Sequence, residues 1–77
     1  MEPEVVGKRI KELMKNKDVT HEELAKKINI SKKMLEKKLE GREEFSIGEM
    51  AKIKEIFKLN LKEFDDLFFK ENAKIPF

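Results

Sequence analysis

Residues 20–41 read THEELAKKINISKKMLEKKLEG. Thr20 followed three residues later by Glu23 makes a capping box. The hydroxyl accepts the N–H at the third helical position, and the carboxylate reaches back to the N–H of the cap. A helix therefore opens here, with Leu24, Ala25 and Ile28 on its inner face. Glu22 and Lys26, and Glu23 and Lys27, are favourable i,i+4 pairs on its outside. Asn29 tolerates the left-handed backbone that stops a helix. Ser31 caps the next helix. That helix turns Met34, Leu35 and Leu39 inward and Lys32, Lys33, Glu36 and Lys37 outward. Gly41 supplies the residue after its end. The interval between the two helices leaves room only for a tight turn, and two short helices joined so closely form a helix-turn-helix.

The flanking sequence extends the helical pattern. A first helix is expected over about 3–16, since Pro3 suits a first helical position. Val6, Ile10, Leu13 and Met14 form its stripe, and Lys17-Asp18 follows as a turn. The motif helices are expected over about 21–28 and 32–40. Ser46 and Glu49 form a second capping box, which opens a helix over about 47–57. Its stripe is Ile47, Met50, Ile53, Ile56 and Phe57. A fifth helix, about 61–69, follows Asn60, with Glu63 three residues on. It carries Leu61, Phe64, Leu67 and Phe68. The tail, 70–77, has no period, and there is no repeat or linker. The expected fold class is all-α: a compact bundle of five short helices with a central helix-turn-helix, forming one domain over residues 1–77.

Composition excludes several functions. There is no cysteine, so disulfides and thiolate metal sites are ruled out, and one histidine is poor material for zinc. No cofactor and no small-molecule ligand are expected. The apolar runs are too short to span a membrane, and the start, MEPEVV, lacks the apolar core of a signal peptide. The chain thus reads as cytoplasmic, with no membrane partner. No Ser–His–Asp set, glycine-rich phosphate loop or catalytic carboxylate pair is present, so an enzyme is not expected.

Net charge is only +2, but the charges are unevenly placed. Lys8, Arg9, Lys11, Lys15 and Lys17 stand against Glu12 alone. The lysine pairs at 26–27, 32–33 and 37–38 stand against Glu36 alone. Acids gather at Glu43, Glu44, Glu63, Asp65 and Asp66. A basic face and an acidic back are expected. With a helix-turn-helix beneath it, a basic face points to double-stranded DNA, with the second helix of the motif in the major groove.

Lys32 and Lys33 carry most of this inference. Cations at a helix N-terminus oppose the helix dipole, so two lysines there suggest a use. Lysine can donate to guanine O6 and N7 or to phosphate. Lys37 lies one turn further along the same face. Glu36 could accept from a cytosine amino group, or simply pair with Lys32. His21 lies in the first turn of its helix, near an expected phosphate. Thr20 and Ser31, at the two helix starts, are counted with these residues. Arg42 could reach the backbone. Arg9 and Lys8 could also do so, but each reads better as surface.

Taken together, these residues resemble the lambda-repressor-like (Cro/repressor, XRE-type) helix-turn-helix family, in its phage-type form. The resemblance covers residues 5–69. It rests on GKRIKEL in the first helix, T-x-E-E-L-A-K-K in the second and I-S-K-K-x-L in the third. Gly41 and F-S-I-x-E-M-x-K-I complete it. In that family Ala25 would be the small residue of close packing, Asn29 the turn and Leu35 the buried branched residue. The resemblance implies sequence-specific binding to double-stranded DNA by a repressor that occludes its operator. The chain departs from the family pattern at three places. His21 stands where glutamine is common, Lys32 and Lys33 where glutamine, serine or threonine is, and Glu40 where asparagine often precedes the glycine.

A homodimer through the fifth helix and the C-terminal tail is also expected. Leu67, Phe68 and Phe69, then Ile75 and Phe77, are unusually apolar for a free end. Glu40, the low net charge and the missing glutamines favour an alternative, a protein-interaction module of antitoxin or antirepressor kind. Repeated capping boxes and a Lys/Glu surface would also suit an engineered scaffold on this fold.

Overall fold

The computed structural model describes residues 3–69. Its elements are α1 (Pro3–Lys17), α2 (His21–Lys27), α3 (Lys32–Leu39), α4 (Ile47–Ile56) and α5 (Leu61–Phe68). No strand occurs among the described residues, and the fold is an all-α bundle with the helix-turn-helix at its centre. The last residues expected in the second to fifth helices, Ile28, Glu40, Phe57 and Phe69, serve instead as C-caps. The tail, 70–77, lies outside the described residues.

Local hydrogen bonds explain where the helices start. Thr20 Oγ1 accepts from Glu23 N–H at 3.1 Å, and Glu23 Oε1 accepts from Thr20 N–H at 2.9 Å. Ser46 and Glu49 repeat the box at 3.1 and 2.9 Å. Asn60 and Glu63 form a third at 2.8 and 2.9 Å.

Four helix ends also share one construction. After α2, Asn29 has φ 65°, its N–H donates to Lys26 O, and Ile30 N–H donates to Ala25 O. This pair of bonds is the Schellman motif, which satisfies the last carbonyls of a helix. The same pair closes α1 at Asp18, α3 at Gly41 and α4 at Lys58, with φ of 61°, 83° and 54°. Lys58 has no side-chain feature that marks it for this conformation.

One hydrophobic cluster joins the helices, with Ile10, Leu24, Leu35, Ile53 and Phe68 at its centre. α1 packs on α3 and α5, and α2 packs on α3. Two residues placed in apolar stripes from the helical period are instead exposed: Ile47 at 75% and Leu61 at 77%. Each is the first residue of its helix. A helical Cβ tilts toward the N-terminus, so a side chain at the first position reaches past the helix end.

Two glycines and an arginine set how α1 sits. A Cβ at Gly7 would stand 1.8 Å from the carbonyl oxygen of Leu39, so α1 and α3 meet backbone to backbone there. A Cβ at Gly41 would meet Glu4 N at 2.9 Å. Arg9 Nη1 donates to the carbonyls of Asp66 (2.5 Å) and Leu67 (3.2 Å). Arg9 is therefore half-buried at the C-terminal end of α5, where a cation is favourable. It is a tie between α1 and α5, and not the solvated surface cation expected of it.

Candidate nucleic-acid interface

The bihelical unit is held from below and open above. Leu35 and Leu39 of α3 are 0% and 3% exposed, and Leu24, Ala25 and Ile28 meet them in the same cluster. The buried side of α3 being fixed, its other side must face out. Lys32, Lys33 and Glu36 are exposed, and Lys37 is half-buried at the edge of that face. Among the described residues no close ion pair joins Glu36 to Lys32; the close pairs are Lys38–Glu49, Arg42–Glu40 and Lys62–Asp66.

The remaining sequence-derived residues lie at the start of α2, at the cap of α3 and just beyond its end. Ser31 Oγ accepts from Met34 N–H at 3.0 Å, and Thr20 Oγ1 is occupied in the same way by Glu23 N–H. A hydroxyl that accepts retains its own hydrogen for donation, so Ser31 still has a donor to offer. His21 opens α2 and is half-buried. Arg42 is exposed, but its guanidinium is engaged by Glu40, with Nε at 3.0 Å and Nη2 at 2.9 Å from one carboxylate oxygen. Glu40 is thus partly neutralised from within the chain. The Glu23 carboxyl is held below the usual carboxylate range, first by the backbone N–H of Thr20 and then by its hydroxyl.

Lys38 departs from the sequence reading, which counted it in the basic face. It is 8% exposed, and its Nζ lies 2.6 Å from Glu49 Oε1 on α4. The same ammonium stands 5.7 Å from the centre of the Phe45 ring. Glu49 Oε1 also accepts from Ser46 N–H, so a single oxygen closes the α4 cap and anchors α3. Burial alone would raise the Glu49 carboxyl. The hydrogen bonds from Lys38 and Ser46 outweigh it and hold the carboxyl below its ordinary range. The signal was present in the helical period. Position 38 is three residues after Leu35 and four after Met34, on the inner side of the helix.

Residues 9–68 match the family model of the Cro/C1-type HTH DNA-binding domain. That stretch takes in the whole bihelical unit, α1 from Arg9 onward and all of α4 and α5. The chain belongs to the Cro/C1-type helix-turn-helix family. Comparison with curated proteins and with solved structures finds no match. As a Cro/C1-type domain the chain is a sequence-specific DNA-binding module of the kind that regulates transcription. Double-stranded DNA is its partner in that role. No helix among the described residues is long and apolar enough to cross a membrane.

Proposed function

We propose that this Cro/C1-type domain is a transcriptional repressor that acts by occluding its operator. The single observation that carries this reading is the two-sided α3. Leu35 and Leu39 are locked in the core, while Lys32, Lys33 and Glu36 project from the opposite side with no competing structural task. In this reading α3 enters the major groove and α2 crosses the backbone. Lys32, Lys33, Glu36 and Lys37 meet bases or phosphates. Thr20, His21, Ser31 and Arg42 meet phosphates and set the register. The phage or mobile-element type belongs to the same reading, through the resemblance of the fourth and fifth helices.

The functional unit in this proposal is a homodimer through α5 and residues 70–77. One helix-turn-helix covers about half a site, and a dimer places two of them one helical turn apart. Phe69, just past α5, is 47% exposed, and its ring stands 5.8 Å from that of Phe64. An apolar pair open to solvent favours a contact between copies. The interaction-module alternative counts Glu40 in its favour, since a carboxylate there would repel a nearby phosphate. The Arg42–Glu40 pair weakens that argument, because the guanidinium partly neutralises the carboxylate and leaves its remaining N–H groups for a phosphate.

The test is selection of bound duplexes from a random pool, followed by salt titration of the winners. An enriched palindrome is expected. With about four phosphates neutralised per monomer, log K should fall with log salt at a slope of roughly −3.6 per monomer. A flat salt response, or no enriched sequence, would overturn the reading.

A further inference from the structure

We propose that the half-site read by α3 is centred on G·C pairs, with Lys32 and Lys33 addressing guanine and Glu36 selecting cytosine. This rests on the DNA-binding reading above and names the base chemistry of that same face.

The structure narrows the reading set. Lys38 is withdrawn to Glu49, Arg42 is held by Glu40, and Lys37 is half-buried at the edge. The groups left free at the front of α3 are Lys32, Lys33 and Glu36. With about 100° of turn per residue, Glu36 projects between the two lysines and one turn further along. The outer face therefore presents donors at its N-terminal edge and a single acceptor behind them.

These chemistries are selective in the major groove. An ammonium only donates. Guanine offers it two adjacent acceptors, O6 and N7, whereas adenine pairs N7 with a donor amino group. A carboxylate only accepts, and the cytosine amino group is a donor it can meet. Adenine is read best by a side-chain amide, which both donates and accepts. α3 is KKMLEKKL and has no asparagine or glutamine. Glu36 lies about 6 Å beyond Lys32 along the helix axis, close to two base-pair steps of about 3.4 Å. The expected element is therefore a guanine with a cytosine about two steps away.

The experiment runs selection from a random duplex pool on the parent and on Glu36→Gln, a substitution at an exposed position. The parent should enrich G·C pairs at the constrained positions. The Glu36→Gln protein should exchange one cytosine for adenine and keep the rest of the site. Replacing that G·C pair by A·T in the selected duplex should weaken parent binding roughly 5- to 150-fold, measured by fluorescence anisotropy. Enrichment of A·T at every constrained position would overturn the proposal. So would a Glu36→Gln protein that still demands cytosine. Salt-dependent binding with no enriched sequence would overturn it by a different route, because sequence-specific repression itself would then have failed.

Discussion

Gly7→Ala and Gly48→Ala make the same chemical change in two helices and should have opposite signs. In an exposed helix interior, alanine is favoured over glycine by about 1 kcal/mol. Gly48 is exposed in the first turn of α4, where the preference is weaker but of the same sign, and a Cβ there comes no closer than 4.0 Å to Ser46 Oγ. Its substitution should raise stability by about 0.5–1 kcal/mol. At Gly7 the new carbon would lie 1.8 Å from Leu39 O, 2.6 Å from Leu39 C and 3.0 Å from Leu39 Cα. All three are backbone atoms, so no side chain can swing away. Relief requires α1 to move off α3, and α1 also holds Arg9 against α5. Overpacking of this kind costs about 1–3 kcal/mol and sometimes more. A contact this short with rigid backbone belongs at the upper end, about 3 kcal/mol net of the propensity gain. For a domain this small that is a fall in Tm of more than about 10 °C. Thermal and urea unfolding followed by circular dichroism would measure both variants. A Gly7→Ala protein as stable as the parent would refute the backbone-to-backbone packing of α1 on α3.

Three further outcomes follow from the same geometry. Lys32→Ala and Lys33→Ala should each weaken duplex binding by about 1–3 kcal/mol with little change in Tm, whereas Leu35→Ala should cost about 2–5 kcal/mol of stability; lysine variants that bind like the parent but melt earlier would contradict this division. Glu49 titrates below its ordinary range in the folded protein, so its charge adds stability above the unfolded carboxylate value of about 4.3 and loses it as pH falls through the lower folded value. The stability advantage of the parent over Glu49→Gln in urea melts should therefore be full near pH 7, begin to shrink as pH falls past about 4.3 and be lost only below the folded value, and an advantage that stays constant as the pH is lowered through both would show that the charge is irrelevant. Phe69→Glu should shift the protein to monomer and weaken operator binding more than stability, and sedimentation equilibrium showing a monomeric parent at about 100 μM, with and without DNA, would dispose of the dimer.

The parts of this protein legible in the sequence are those whose causes are local. The pairs Thr20–Glu23, Ser46–Glu49 and Asn60–Glu63 act across three residues of one chain segment, so the three boxes could be read before any packing was known. Asn29 and Gly41 end their helices for reasons held in their own backbones. The same short-range logic put Leu35 and Leu39 inside and Lys32 and Lys33 outside, and with them the helix-turn-helix itself. Lys58 marks the limit of that logic, since nothing in a lysine signals the left-handed position it takes after α4.

What the tertiary structure alone decided involves groups far apart in sequence. Arg9 became a tie because two carbonyls at the end of α5 wait beside α1, 57 and 58 residues away. Gly7 is needed because the Leu39 carbonyl approaches it, which no pattern within the first helix records. Ile47 and Leu61 obey the helical period yet lie in solvent, because periodicity gives the face of a residue and not whether a neighbour covers that end of the helix. For Lys38 the helical period already gave the inward face, and what the tertiary structure added is the pair of groups that receive it there, Glu49 and the Phe45 ring. A charge pattern is a property of the chain, whereas the side on which each charge emerges is set by which faces the core has already taken.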